Sequence, residues 1–143
     1  MRYLIDTNVL CELAKADPNT QVLEWFYDHS LDTLLISTIT VGEIAYGVEK
    51  HPDGKAKEQL HEWFESVLLE WFNGSIVDLD TKTMLVWAKL RAAGRTLPIL
   101  DSQIAASALA SNAVLVTRNT NDFDGIDNLT LVNPFFNGQP SDQ

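Results

Sequence analysis

One cysteine, no long apolar run and half as many bases as acids frame this chain by what it excludes. Cys11 is the only cysteine among the 143 residues, so no internal disulfide can form and a reducing compartment suits the chain. With no base near it in sequence, Cys11 reads as a small core residue rather than a nucleophile. No apolar run approaches the roughly 18 residues that a membrane span needs. No long apolar segment precedes the first acid, as a secretory signal would require. A cytoplasmic protein without membrane association is the expectation. Lysine and arginine number 10 against 20 aspartates and glutamates, a formal net charge of -10. That balance excludes tight, indiscriminate nucleic-acid binding, which rests on cationic contacts to phosphate. It fits a basic partner, a bound metal ion, or both. His29, His51 and His61 lack ligand-like spacing and read as surface residues.

What is present is ordinary globular material, with 45% hydrophobic and 21% charged residues. A chain of 143 residues is expected to form one domain and bury about two-thirds of its unfolded surface. Tyr3-Leu4-Ile5 reads as a strand covered on both faces, because its apolar residues are β-favouring and uninterrupted. Thr33–Ser37, Ser75–Leu79, Ala113–Thr117 and Leu129–Val132 read as further strands. Helical spacing predicts helices over about Asn8–Lys15, Pro18–Asp28, Thr40–Lys50, Lys55–Phe72, Thr81–Gly94 and Ser102–Ser111. Strands and helices alternate without repeats or linkers. The fold expected is a single α/β domain over residues 1–136 with a mostly parallel sheet, followed by a polar tail at 137–143.

Four acids sit at comparable ends of these elements. Asp6 follows the first strand, Glu43 lies in the first turn of the helix after the second, Asp101 begins the helix before the fourth, and Asp122 lies just after the fourth. In open α/β sheets, ligands bind beyond the carboxyl ends of the strands, where three of these acids converge. Asp101 arrives there only if its helix approaches from that side. Each acid also has a local explanation: helix caps at Asp6 and Asp101, a Thr40/Glu43 capping box, and turn chemistry for Asp122 beside Asn119 and Asn121. Carboxylates gathered at one edge repel and raise each other's pKa. A hard divalent ion removes that penalty, and an all-oxygen donor set suits Mg²⁺ or Mn²⁺ rather than zinc.

Four stretches carry a family resemblance: Leu4-Ile5-Asp6-Thr7-Asn8, Ser37-Thr38-Ile39-Thr40-Val41-Gly42-Glu43, Asp101-Ser102-Gln103-Ile104-Ala105-Ala106 and Thr117-Arg118-Asn119-Thr120-Asn121-Asp122-Phe123. They resemble the motifs of PIN domains, in particular the VapC and FitB toxins of toxin–antitoxin pairs. The similarity runs from residue 2 to about Pro134. It implies a PIN-like, Rossmann-like three-layer domain, its sheet of four to five strands flanked by helices. It implies an acidic site of Asp6, Glu43, Asp101 and Asp122, with Thr7 and Asn8 auxiliary and Thr117 and Asn119 at the rim. Asp124 lies near the fourth motif and competes with Asp122 for the last place.

The same resemblance implies a Mg²⁺- or Mn²⁺-dependent endoribonuclease, the toxin of a pair whose antitoxin covers the site and binds promoter DNA. Arg91, Arg95 and Arg118, in one basic cluster with Lys89, are candidate RNA contacts, and Lys50, His51, Lys55 and Lys57 form a second cluster. The ordinary reading of both clusters is solvated helix ends. A competing expectation is a partner-binding module acting mainly through its antitoxin, with little catalysis. Phosphotransfer through Asp6 is a third, disfavoured by Asn8 where a second acid would stand. The Trp- and Phe-rich stretch from Trp63 to Phe72 suggests a core face whose remainder makes a homodimer interface, as the resemblance also implies.

Overall fold

A computed structural model describes residues 1–94 and 96–136. The tail expected at 137–143 lies outside them, as does Arg95.

Short buried runs pair into a five-stranded sheet. β1 (Tyr3–Ile5) lies at its centre, between β2 (Leu34–Ser37) and β4 (Val114–Val116). Tyr3 stands opposite both Leu34 and Val114, and Leu4 opposite both Leu35 and Leu115. β3 (Ile76–Val77) adds to β2 at one edge and β5 (Leu131–Val132) to β4 at the other. Every pairing is parallel and the order is β3-β2-β1-β4-β5. The chain builds outward from β1 in one direction, then returns to build in the other. β1 and β4 therefore flank the topological switch point, the crevice where such sheets accept ligands.

Alternation along each strand divides the core in two. Ile5, Leu34, Ile36, Val114, Val116 and Val132 face one layer of helices. Leu4, Leu35, Leu115 and Leu131 face the other. The first layer receives Val9 and Leu10 of α1 (Thr7–Leu13), Val22 and Trp25 of α2 (Thr20–Tyr27), and Ile44 and Val48 of α3 (Thr38–Lys50). Phe64, Leu68 and Phe72 complete it. The second is sealed chiefly by Ile104, Ala105 and Ala108 of α7 (Ile99–Ala110), with α6 (Thr81–Ala92) packed against α7. Small residues on α7 bring its backbone close to the sheet, which fixes where its first turn lies.

The helix expected over Lys55–Phe72 is continuous but not uniform. α4 (Lys55–Trp63) widens into a π-helical segment at Phe64–Leu68 before α5 (Leu69–Trp71). The Leu69 N–H donates to the Phe64 carbonyl, a five-residue step. At that wider pitch, side chains four apart stay nearly aligned, so Phe64, Leu68 and Phe72 all turn inward. Trp71 remains 43% exposed. Among the described residues no helix is long and apolar enough to cross a membrane.

Candidate active site

Asp6 leaves β1 at the switch point with its backbone N–H donating to the Val116 carbonyl of β4, 2.8 Å away. Its carboxylate does two things at once. Oδ1 caps α1 by accepting from the Thr7 N–H at 2.7 Å, and Oδ2 accepts from the Thr117 hydroxyl at 2.7 Å. Capping and a role in the site are therefore compatible, because only one oxygen serves the cap. Asp6 as a whole is 6% exposed. Burial raises its pKa from 3.8 to about 6; the bonds from Thr117 and Thr7 oppose that rise, and the charges of Asp101 and Glu43 add to it.

Glu43 reaches the same place from α3. The expected Thr40/Glu43 capping box does not form, because α3 begins at Thr38, two residues early. Ser37 is its cap, accepting from the Thr40 N–H at 3.1 Å. Glu43 is thereby relieved of capping, and its Oε1 accepts from the Thr7 hydroxyl at 2.6 Å. The buried Thr40 hydroxyl stands 3.1 Å from that of Thr7. From sequence, Ser37 has no separate role and Thr40 only that of a helix cap. The Ser-x-x-Thr spacing ahead of Glu43 was the available signal for the earlier start.

Asp101 lies in the first turn of α7 rather than at its start, since the helix opens at Ile99 after Pro98. Proline's fixed φ suits such an entry. The Asp101 carboxyl is raised by partial burial first, then by the charges of Glu43 and Asp122. α7 therefore approaches from the side that brings its first turn to the carboxyl edge, a matter the sequence left open. Asp122 sits in the short α8 (Thr120–Phe123), its N–H bonded to the Asn119 carbonyl at 3.0 Å. Asp124 follows that helix in extended conformation. Of this pair, Asp122 is the acid whose charge raises Asp101. Among the described residues, no three Asp, Glu, His or Cys side chains stand close enough to form a ready set of metal ligands. The acids are coupled through their charges.

The auxiliary residues tie these elements together. The Thr117 hydroxyl donates to Asp6 and accepts from the Asn119 N–H at 3.1 Å. The Asn8 side chain accepts from the Arg118 N–H at 3.2 Å, pinning the loop after β4 to the start of α1. Arg91 donates to the Leu97 carbonyl at 2.9 Å with its guanidinium 5.8 Å from the Trp87 ring, so it braces the turn between α6 and α7. Arg118 lies 4.5 Å from the Phe135 ring. The third candidate, Arg95, lies outside the described residues. Cys11 corrects the sequence reading. It is exposed rather than a core residue, yet its thiol lies against the protein surface, and that partial desolvation first, then the charges of Glu43 and Asp6, push its pKa up. Its neighbour Glu12 takes the inner position, held at 2.8 Å by Lys15 and accepting from the Asn19 N–H at 2.9 Å.

The PIN-domain family model matches residues 3–129. The chain is 38% identical to the plasmid stability protein StbB of Pseudomonas syringae pv. tomato over 92% of its length and 97% of that protein's. It is 32% identical to the VapC ribonuclease Y4jK of Sinorhizobium fredii over 92% and 96%. Among solved structures it superposes on a chain of FitAB bound to the IR36 DNA fragment with a TM-score of 0.86 and 32% identity, covering 93% of this chain and 95% of that one. The fold, the order of the four motifs and these likenesses meet in one conclusion: the chain belongs to the PIN-domain family, among the toxins of the VapC/FitB type.

Proposed function

We propose that this protein is the toxin of a toxin–antitoxin pair, an endoribonuclease that hydrolyses RNA phosphodiester bonds with Mg²⁺ or Mn²⁺. The observation that carries the reading is Asp6, buried at the switch point and raised to about 6 beside Asp101 and Glu43. A polypeptide gains nothing in stability by gathering like charges there, and perturbed acids in a cleft are a mark of functional sites. The relatives carry the same implication, one named as a ribonuclease and one solved with its complex on DNA.

The donor chemistry suits the ion: the carboxylates are hard oxygen donors, and neither His nor an ionised thiol is among them. When bound, the divalent ion supplies positive charge that makes a water more acidic and offsets charge building on the phosphate oxygens. Asp6 and Asp101 are the principal holding residues, with Asp122 supporting them. Thr117 keeps the Asp6 carboxylate facing the crevice, while Thr7 holds Glu43 by one oxygen. Glu43, with one oxygen held by Thr7, would use the other to help hold the ion or to take a proton from water. The partner is a cognate antitoxin covering this acidic edge, and DNA is bound through it. The setting is the cytoplasm and the free protein is a homodimer, so light scattering that gives only a species of about 16 kDa removes the dimer.

Single-turnover cleavage of total cellular RNA, comparing the parent with Asp6→Asn in Mg²⁺ and in chelator, tests the proposal. Cleavage by the parent alone, and only with the ion, is the expected result. Equal cleavage by both proteins, or by the parent in chelator, refutes it. Full metal-replete inactivity of the purified parent favours the partner-binding module.

A further inference from the structure

The outer face of α3 carries a feature that the acid cluster does not use. A groove of about 480 Å³ runs between α3 and the start of α7, lined by Thr38, Ile39, Gly42, Glu43, Tyr46 and Leu100. Glu43 belongs to both the groove and the acidic site, so the two are continuous. Tyr46, one turn beyond Glu43, is 65% exposed, and Lys50 a turn further on sets its ammonium 5.6 Å from the Tyr46 ring. Acid, aromatic ring and cation thus succeed one another along a single helix face. At 1.5 Å per residue, Glu43 and Lys50 are about 10 Å apart along the axis.

Gly42 is a second, independent observation. It lies inside a helix, where glycine costs stability relative to alanine. A Cβ built on it meets no atom within 4 Å, so no packing inside the chain requires its absence. Gly42 lines the groove beside Glu43 and Tyr46, with open space where a side chain would stand.

We infer that this groove seats the base next to the scissile phosphate of a single-stranded RNA, with Tyr46 as its stacking platform, Lys50 meeting a flanking phosphate and Gly42 giving the base room. The inference rests on the ribonuclease reading above and adds to it the residue that sets base preference. An aromatic ring beside a cation is the combination that holds unpaired nucleotides. The cation also answers a difficulty of this chain, since a strand approaching an acidic edge needs local positive charge. A purely apolar partner would gain nothing from Lys50 or from the acid at the groove's end.

The test uses the full-length protein with Mn²⁺ and a pool of single-stranded RNA oligonucleotides. KM, kcat and the bases flanking each cut are measured for the parent, Tyr46→Ala, Tyr46→Phe, Lys50→Ala and Gly42→Ala, with sedimentation of each at assay concentration. Tyr46→Ala is expected to raise KM about ten-fold and flatten the flanking-base preference, changing kcat far less. Tyr46→Phe should retain both properties. Gly42→Ala should melt no lower than the parent yet raise KM. Lys50→Ala should reduce the salt dependence of KM.

Direct binding separates this inference from the nuclease reading. Anisotropy of a labelled oligonucleotide is compared between Asp6→Asn and the double variant Asp6→Asn/Tyr46→Ala. Weaker binding by the double variant supports the groove even if the parent cuts nothing. Equal binding by the two, a parental KM and base pattern in Tyr46→Ala, or a KM change that accompanies loss of a dimer overturns it. So does an effect of Tyr46→Ala on antitoxin affinity alone.

Discussion

Replacing Asp6 with asparagine should stabilise the metal-free protein, and should do so increasingly as the pH rises. The carboxyl titrates near 6 in the folded chain against 3.8 for an ordinary aspartate, mainly because it is buried. The folded state holds that proton more tightly than the unfolded state. Its contribution is therefore complete below 3.8 and is lost as pH climbs through about 6. At 1.36 kcal/mol per pH unit, the interval between the two values is at most about 3 kcal/mol. Between about pH 4.5 and 7.5 the parent should lose about 2 kcal/mol through this group alone. Asparagine can still accept from the Thr7 N–H and escapes that titration. Its amide must then donate to Thr117, which costs about 1 kcal/mol at every pH. Urea denaturation in chelator at both pH values reads the difference. The gap between variant and parent should widen by about 1 M in midpoint. Mn²⁺ at the higher pH should stabilise the parent and leave the variant unmoved. A gap that stays constant across the range would show that Asp6 does not carry this burden.

Other expectations follow from named contacts. Thr117→Val removes a bond that lowers the Asp6 pKa, so the acidic limb of the pH–activity profile should move to higher pH with kcat at its plateau little changed; an unmoved limb refutes the link. Glu12 is held below the usual carboxylate range, by the hydrogen bond from Lys15 first and by the Asn19 N–H next. Its contribution is present above the ordinary glutamate pKa and is lost as pH falls through the lowered one. Glu12→Gln should therefore destabilise at neutral pH and converge with the parent in acid, as thermal melts at the two pH values would show. Cys11 should alkylate more slowly than a free thiol at mildly alkaline pH, because burial, Glu43 and Asp6 all disfavour its thiolate. Glu43→Gln should speed that reaction, and a rate equal in both proteins removes the charge coupling between site and thiol.

Much of this protein is set by local order along the chain. Tyr3-Leu4-Ile5 and Val114-Leu115-Val116 are uninterrupted β-favouring runs, and an uninterrupted run is what a strand covered on both faces requires. Asp6, Glu43, Asp101 and Asp122 could be nominated because each follows or opens an element whose ends were legible from caps and prolines. Tertiary structure decided what those nominations mean. Glu43 is available to the site because Ser37 caps α3 in place of Thr40. The broad apolar face foreseen from Trp63 to Phe72 is divided by packing: Phe64, Leu68 and Phe72 turn inward, and Trp71 stays largely outside. Cys11 is outside and Glu12 inside because α1 turns that face toward Asn19. Asp6 is a buried, proton-hungry acid because packing at the β1–β4 switch point takes its carboxyl out of water, while Thr117, 111 positions away, partly offsets that with a hydrogen bond. Periodicity is a property of adjacent residues, whereas desolvation and charge coupling belong to residues that only the strand order brings together.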